Sequence, residues 1–177
     1  MKELSLNILD VAENSVKAGA TLTQIILEEK GSELTLIIRD DGCGMDEETV
    51  KAVTDPFYTT RTTRKVGLGV PLLKLAAEQT GGSFEIKSET GEKHGTEVRA
   101  VFDTSHLDFT PLGDVTSSII TLIQGHPDTD FDFYHSVDGK EVMLDTKEVR
   151  NVLDGVPLDT YEVIKWIEDY INEQYRQ

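Results

Sequence analysis

The N-terminal residues alternate between apolar and polar positions with the period of a helix. At about 100° per residue, Leu4, Ile8, Leu9, Val11, Ala12, Val16 and Ala18 fall in one half of the wheel. Asn7, Asp10, Glu13, Asn14 and Lys17 fall in the other, with Leu6 the apolar exception. This predicts an amphipathic helix over 3–18 that stops at Gly19. The period then changes. Thr21–Glu28 and Glu33–Arg39 read as strands around the Lys30-Gly31-Ser32 turn, a hairpin. A short helix with an acidic start follows at 46–53, and 55–69 carries no period and reads as a loop. Val70–Gln79 is predicted helical, with Pro71 in the first turn, where a missing amide proton costs nothing. Strands Ser83–Ser88 and Thr96–Phe102 come next, and Asp103–Gly113 reads as a linker. Beyond it the pattern gives a helix near 113–124, a hairpin of Asp130–Tyr134 and Glu141–Leu144, and helices near 146–154 and 159–174. Strands in antiparallel pairs with helices between them predict a two-layer α/β sandwich, with helices on one face of a mixed or antiparallel sheet. The division expected is 1–103 as one α/β domain and 104–177 as a small acidic α+β region.

Composition narrows the function classes. The 177 residues carry 17 Lys+Arg against 33 Asp+Glu, a formal charge of -16. The excess is uneven: residues 103–177 hold 5 basic and 16 acidic side chains, against 12 and 17 before them. A nucleic-acid binder needs the opposite sign or a basic stripe, so nucleic acid is not an expected partner. No apolar run reaches the roughly 18 residues of a membrane span. The start of the chain has no signal-peptide plan, and a cytoplasmic location with no membrane partner is expected. A single cysteine, Cys43, excludes an intramolecular disulfide framework.

The candidate chemistry lies at two Gly-x-Gly turns and on the first helix. Gly42-Cys43-Gly44 follows Asp40 and Asp41, where a strand ends. Glycines there let a flat ligand approach the backbone, and an aspartate accepts a hydrogen bond from an exocyclic amine. Gly67-Leu68-Gly69 leads into a helix whose first amides are unsatisfied, a cradle for phosphate. A run of hydroxyls and cations, Thr59 to Lys65 with Arg61 and Arg64, precedes it. Asp10, Asn14 and Lys17 share one helix face, and an amide oxygen suits Mg²⁺.

Together these segments resemble the superfamily of gyrase, heat-shock chaperone, histidine kinase and MutL ATPases. Asp10-Val-Ala-Glu-Asn14-Ser-Val-Lys17-Ala-Gly-Ala-Thr21 is similar to its N box, and Asp40-Asp-Gly42-Cys-Gly44-Met45 to its first glycine box. Asp55-Pro-Phe57-Tyr-Thr-Thr is similar to the kinase F box, Gly67-Leu68-Gly69-Val to the second glycine box, and Gly95-Thr96 to the last. The resemblance implies ATP and Mg²⁺ as cofactors. It implies that Asn14 coordinates the metal, that Asp40 accepts from the adenine amine and that Thr96 holds a water at the base. Gly42, Gly44 and Met45 would belong to the base turn, and Gly67, Leu68 and Gly69 would carry the phosphates under a lid of residues 55–66. Lys17, Arg64 and Lys65 would contact phosphate. Where the hydrolysing branches place a glutamate four residues before the metal asparagine, this chain has Asp10, a shorter candidate base.

The boxes begin at residue 7, with no room upstream for the phosphoaccepting helical hairpin of histidine kinases. A stand-alone kinase-type module acting on a protein partner in trans is therefore expected. An ATP-gated switch or slow ATPase, and an interaction module that has lost nucleotide, are the alternatives. Neither the acceptor nor the oligomeric state is specified by these features. In the tail, His126, Asp128, Asp130, Asp132 and His135 invite a metal reading, but Asp130-Phe131-Asp132-Phe133 is the alternation of a strand with one wet face. Trp166, Ile167, Tyr170 and Ile171 at helical spacing read as core or as a docking stripe.

Overall fold

A computed structural model describes residues 3–55 and 68–177. Six strands form one sheet in the order β3-β4-β2-β1-β5-β6. They are β1 (Leu22–Lys30), β2 (Glu33–Asp40), β3 (Ser83–Glu89), β4 (Gly95–Asp103), β5 (Asp130–Val137) and β6 (Lys140–Asp145). The helices are α1 (Leu4–Lys17), α2 (Glu47–Thr54), α3 (Gly69–Gln79), α4 (Val115–Gly125), α5 (Thr146–Leu153) and α6 (Tyr161–Arg176). The predicted two-layer sandwich is the observed architecture. All neighbouring pairs are antiparallel except β1 and β5, which run parallel with Ile25 opposite Phe133.

The alternation of side chains along each strand builds the core on one face. Ile25 and Leu27, Leu36 and Ile38, Val98 and Ala100, Phe131 and Phe133 are buried there, under Leu4, Ile8 and Leu73 from the helices. α1 lies centrally on this face, packed against both α3 and α4. Residues 104–177 thus add strands to the same sheet and helices to the same core cluster, with Ile119, Ile167 and Ile171 fully buried. The expected wet-faced strand is β5: Phe131 and Phe133 face the core, and Asp130 and Asp132 alternate with them at half-exposed positions. Among the described residues no cluster of His, Cys, Asp and Glu is arranged to hold a metal, and no helix is long and apolar enough to cross a membrane.

The free edge of β6 is covered by α6, whose Gln174 side chain donates to the Met143 carbonyl and accepts from the Met143 amide, both at 2.9 Å. The stripe on α6 splits: Ile167 and Ile171 are core, whereas Trp166 and Tyr170 point outward.

One expectation fails on α1. Asn7, read from the wheel as a wet-face residue, is fully buried. It lies only roughly 20° outside the apolar arc, where α3 docks, and its amide donates to the Gly69 carbonyl at 2.9 Å.

Candidate functional site

β2 and β4 pair so that Asp40 stands opposite Thr96, at the end of the sheet where both strands meet the loop after β2. A cavity of about 220 Å³ opens there, between the sheet, α1 and α2. Asp40 and Thr96 line its polar end with Asn14 and Lys17 from α1, while Gly44 and Met45 come from the loop. Its walls are otherwise largely apolar, with Ile38, Val53, Val70, Ile86 and Val98 in contact with the space beside Ser15 and Thr49. An apolar slot with a few convergent polar groups is the ordinary design of a small-molecule site.

The Asp40 carboxylate is held on both oxygens. Oδ2 accepts from the Ser15 hydroxyl at 2.7 Å, and Oδ1 from the Gly42 amide at 2.8 Å. Two of the roughly four lone-pair directions of a carboxylate are thereby used, and the others stay free for a donor in the cavity. Thr96 shares a 2.7 Å hydrogen bond with Ser88, its register partner on β3, and Ser88 accepts from the Met45 amide at 2.8 Å. On the far side the Cys43 amide donates to Ala18, and the Gly42 carbonyl lies 2.7 Å from Nδ1 of His94. The loop is therefore pinned to α1, β3 and the β3–β4 turn at once. Gly44 is required by this closeness: its φ is +76°, and a Cβ there would sit 1.7 Å from the Glu89 carbonyl oxygen.

Asp41, next to Asp40, has a different task. It accepts from the amides of Thr21 and Leu22 and from the Thr21 hydroxyl, tying the start of β1 to the end of β2. Burial pushes its carboxyl upward, but these hydrogen bonds outweigh it and hold the group below the ordinary range.

Asn14 lines the same cavity, with its amide nitrogen buried and without a partner among the described residues. The side-chain oxygen accepts no hydrogen bond from the described residues, and an amide oxygen of this kind fits a hard divalent cation. Asp10 lies one turn earlier on α1, against the first residue of α3: a Cβ on Gly69 would approach the Asp10 Cβ to 2.9 Å. Burial, then the neighbouring Glu13, push the Asp10 carboxyl up, and Lys17 pulls it partly back. Glu13 itself is engaged by His126, which follows α4, at 2.7 Å.

The structure thus brings Asn14, Lys17, Asp40, Gly44, Met45 and Thr96 around one space, with Asp10 and Gly69 adjoining each other at the neighbouring end of α3. Gly42 does not line the space but supplies an amide to Asp40, and Leu68 is the N-cap of α3. Arg64, Lys65 and Gly67, with most of the expected lid, lie outside the described residues. Sequence reasoning missed four supporting residues: Asn7, Ser15, Ser88 and His94. Ser15 falls within the apolar arc of α1, a polar residue on the buried face, and that was its available signal.

The profile of the histidine kinase-, DNA gyrase B- and HSP90-like ATPases matches residues 2–106. The chain belongs to that family. It is an ATP-binding domain related to those of histidine kinase sensor proteins. Sensor protein SrrB of Staphylococcus aureus is 35% identical over 97 residues, 52% of this chain and 16% of SrrB, so the chain spans only a small part of that relative. The fold is similar to the Aquifex aeolicus MutL ATPase domain complexed with ADP, with a TM-score of 0.54 and 17% identity, over 87% of this chain and 70% of that one. It is also similar to the N-terminal domain of a DNA repair protein, with a TM-score of 0.58 and 18% identity, covering 82% of this chain and 53% of that one. Both structural likenesses reach beyond the span matched by the family profile, so the shared fold includes part of the segment after residue 106.

Proposed function

We propose that the chain is a kinase-type module that binds ATP with Mg²⁺ and transfers the γ-phosphoryl group to a partner protein. The observation that carries this reading is the shared cavity, lined by an aspartate held through Ser15 and Gly42 and by an asparagine whose buried amide nitrogen has no partner among the described residues. Asp40 would accept from the adenine amine, with Thr96 beside it, and the apolar walls would hold the ring. Asn14 would ligate Mg²⁺, which when bound neutralises charge on the phosphate oxygens. The amides at the start of α3 and Lys17 would face the phosphates, and Arg64 and Lys65 would act from the lid segment. In the transfer an acceptor side chain forms a bond to the γ-phosphorus as the bond to the β–γ bridging oxygen breaks, releasing ADP. Asp10 would take the acceptor's proton, and its raised pKa suits a base.

A second reading, an ATP-gated switch with slow or no hydrolysis, draws on the likeness to the MutL ATPase fold. Calorimetric titration of ATP with and without Mg²⁺, on the wild type beside Asn14→Ala and Asp40→Ala, tests the site. Magnesium-dependent binding lost in both variants is expected. No heat up to about millimolar ATP, about 4 kcal/mol of affinity, would overturn it. Incubation with γ-labelled ATP and a lysate of the source cells then separates the two readings, since only the kinase leaves a stable phosphoprotein. Asp10→Ala is expected to spare binding while abolishing the label.

A further inference from the structure

At the other end of the sheet, where α5 and α6 flank β6, a groove of about 620 Å³ shares no lining residue with the nucleotide cavity. Trp166 and Tyr170 form one wall. Their rings are stacked at 5.0 Å and 10°, yet remain 53% and 42% exposed. Met143 and Val152, 50% and 84% exposed, continue the apolar surface toward Leu153. Large apolar side chains grouped in this way on a chain of such high charge mark an interaction site, because water gains when they are covered.

The rim gives the sign of the occupant. Asp132, Asp145 and Glu148 line the groove, and no lysine, arginine or histidine among the described residues does. Asp132 and Asp145 are register partners on adjacent strands, a like-charge pair that costs sheet stability. Their protein contacts are slight: Asp132 accepts from Gln24 at 3.4 Å, and Asp145 caps α5 through the Lys147 amide. Neither contact brings a positive charge. The same segment holds most of the acidic excess of the chain, 16 acidic against 5 basic residues after position 102.

We infer that this groove docks a segment of a partner protein in which arginine or lysine alternates with apolar residues. The apolar side chains enter against Met143, Val152 and Leu153. A cation lies over the Trp166–Tyr170 stack, within reach of the three carboxylates. A guanidinium suits the place best, since it stacks on an aromatic face and still donates to a carboxylate. At Met143 the edge of β6 is already taken by the Gln174 side chain.

Trp166 is the sole tryptophan and reports directly on the groove. The probe is a blocked ten-residue peptide of leucine, alanine and arginine, compared with versions carrying glutamate for arginine or serine for leucine. The expected result is a saturable change in Trp166 emission with the first peptide and binding at least tenfold weaker for the other two. Glu148→Lys and Val152→Ser, both at exposed positions and checked for fold by circular dichroism, should each weaken the first peptide severalfold. Equal binding of all three peptides, no binding up to millimolar concentration, or unchanged affinity in both variants would overturn the inference. So would a concentration-dependent dimer in sedimentation that Val152→Ser disperses, which would assign the groove to a second copy of the chain. None of these outcomes depends on ATP, so the nucleotide reading stands or falls separately.

Discussion

Gly44 and Gly91 offer a controlled comparison, because both have positive φ but only one is crowded. Alanine at either position must adopt a left-handed backbone, at about 1–2 kcal/mol. At Gly91, with φ +87°, nothing lies within 4 Å of the added Cβ, so that is the whole cost. At Gly44 the Cβ would lie 1.7 Å from the Glu89 carbonyl oxygen, and 2.6 Å from its carbon. Backbone cannot rotate aside as a side chain does, so the loop and the end of β3 must part by more than an ångström. That separation breaks the Met45–Ser88 hydrogen bond, about 1 kcal/mol, and adds about 1–3 kcal/mol of overpacking. Gly44→Ala is therefore expected to cost about 2–4 kcal/mol more than Gly91→Ala. Urea unfolding followed by Trp166 emission measures both. ATP titration should show affinity lost in Gly44→Ala and kept in Gly91→Ala. Equal destabilisation by the two substitutions would refute the packing argument, and unchanged ATP affinity in Gly44→Ala would detach the loop from the site.

Asn7→Asp replaces the donor to Gly69 with a carboxylate in a fully buried position, and about 3 kcal/mol or more should be lost at neutral pH. Part should return on acidification, as the protonated acid donates in its place; urea midpoints at two pH values check this. Asp41 has a depressed pKa, so its contribution is present above the ordinary carboxylate value and disappears as pH falls through the folded value, below about 4. Asp41→Asn should flatten the acid limb of the stability curve, and an unaltered limb would show that the Thr21 and Leu22 contacts are not the source. Phe133→Ala, on β5, should cost about 3–5 kcal/mol, with circular dichroism and Trp166 emission giving one coincident transition; two separate transitions would show that 104–177 unfolds by itself.

Elements were legible where their signal is local. The wheel of α1, the Lys30–Ser32 turn and the alternation of β5 each arise from neighbouring residues, and the structure has them within a few positions. Asn7 shows where this stops: nothing within α1 says that the Gly69 carbonyl will cover the border of its apolar arc. The parallel pairing of β1 with β5 was unreadable for the same reason, since Ile25 and Phe133 meet across more than a hundred residues. Asp40 and Asp41 are chemically alike in sequence. Only the fold distinguishes the one that faces the cavity from the one that closes the β1–β2 corner. The α6 stripe was visible as a pattern, but which rungs are wet depends on how α6 leans on β6.

The position of β5 beside β1 bears on how the chain is made. Synthesis delivers the strands β1 to β4 first, while the partner for the outer side of β1 lies at 130–137. At about 5–20 residues per second, the stretch from the end of β4 to the end of β5 takes roughly 2–7 s to emerge. For that interval the nascent domain presents β1 as an open edge, with Ile25 and Leu27 short of their final neighbours, the condition in which strands pair wrongly between chains. A stop codon placed after residue 106 would make that interval permanent. Preparations of the family-matched portion alone should therefore self-associate, while the 177-residue chain closes the edge once β5 has joined β1.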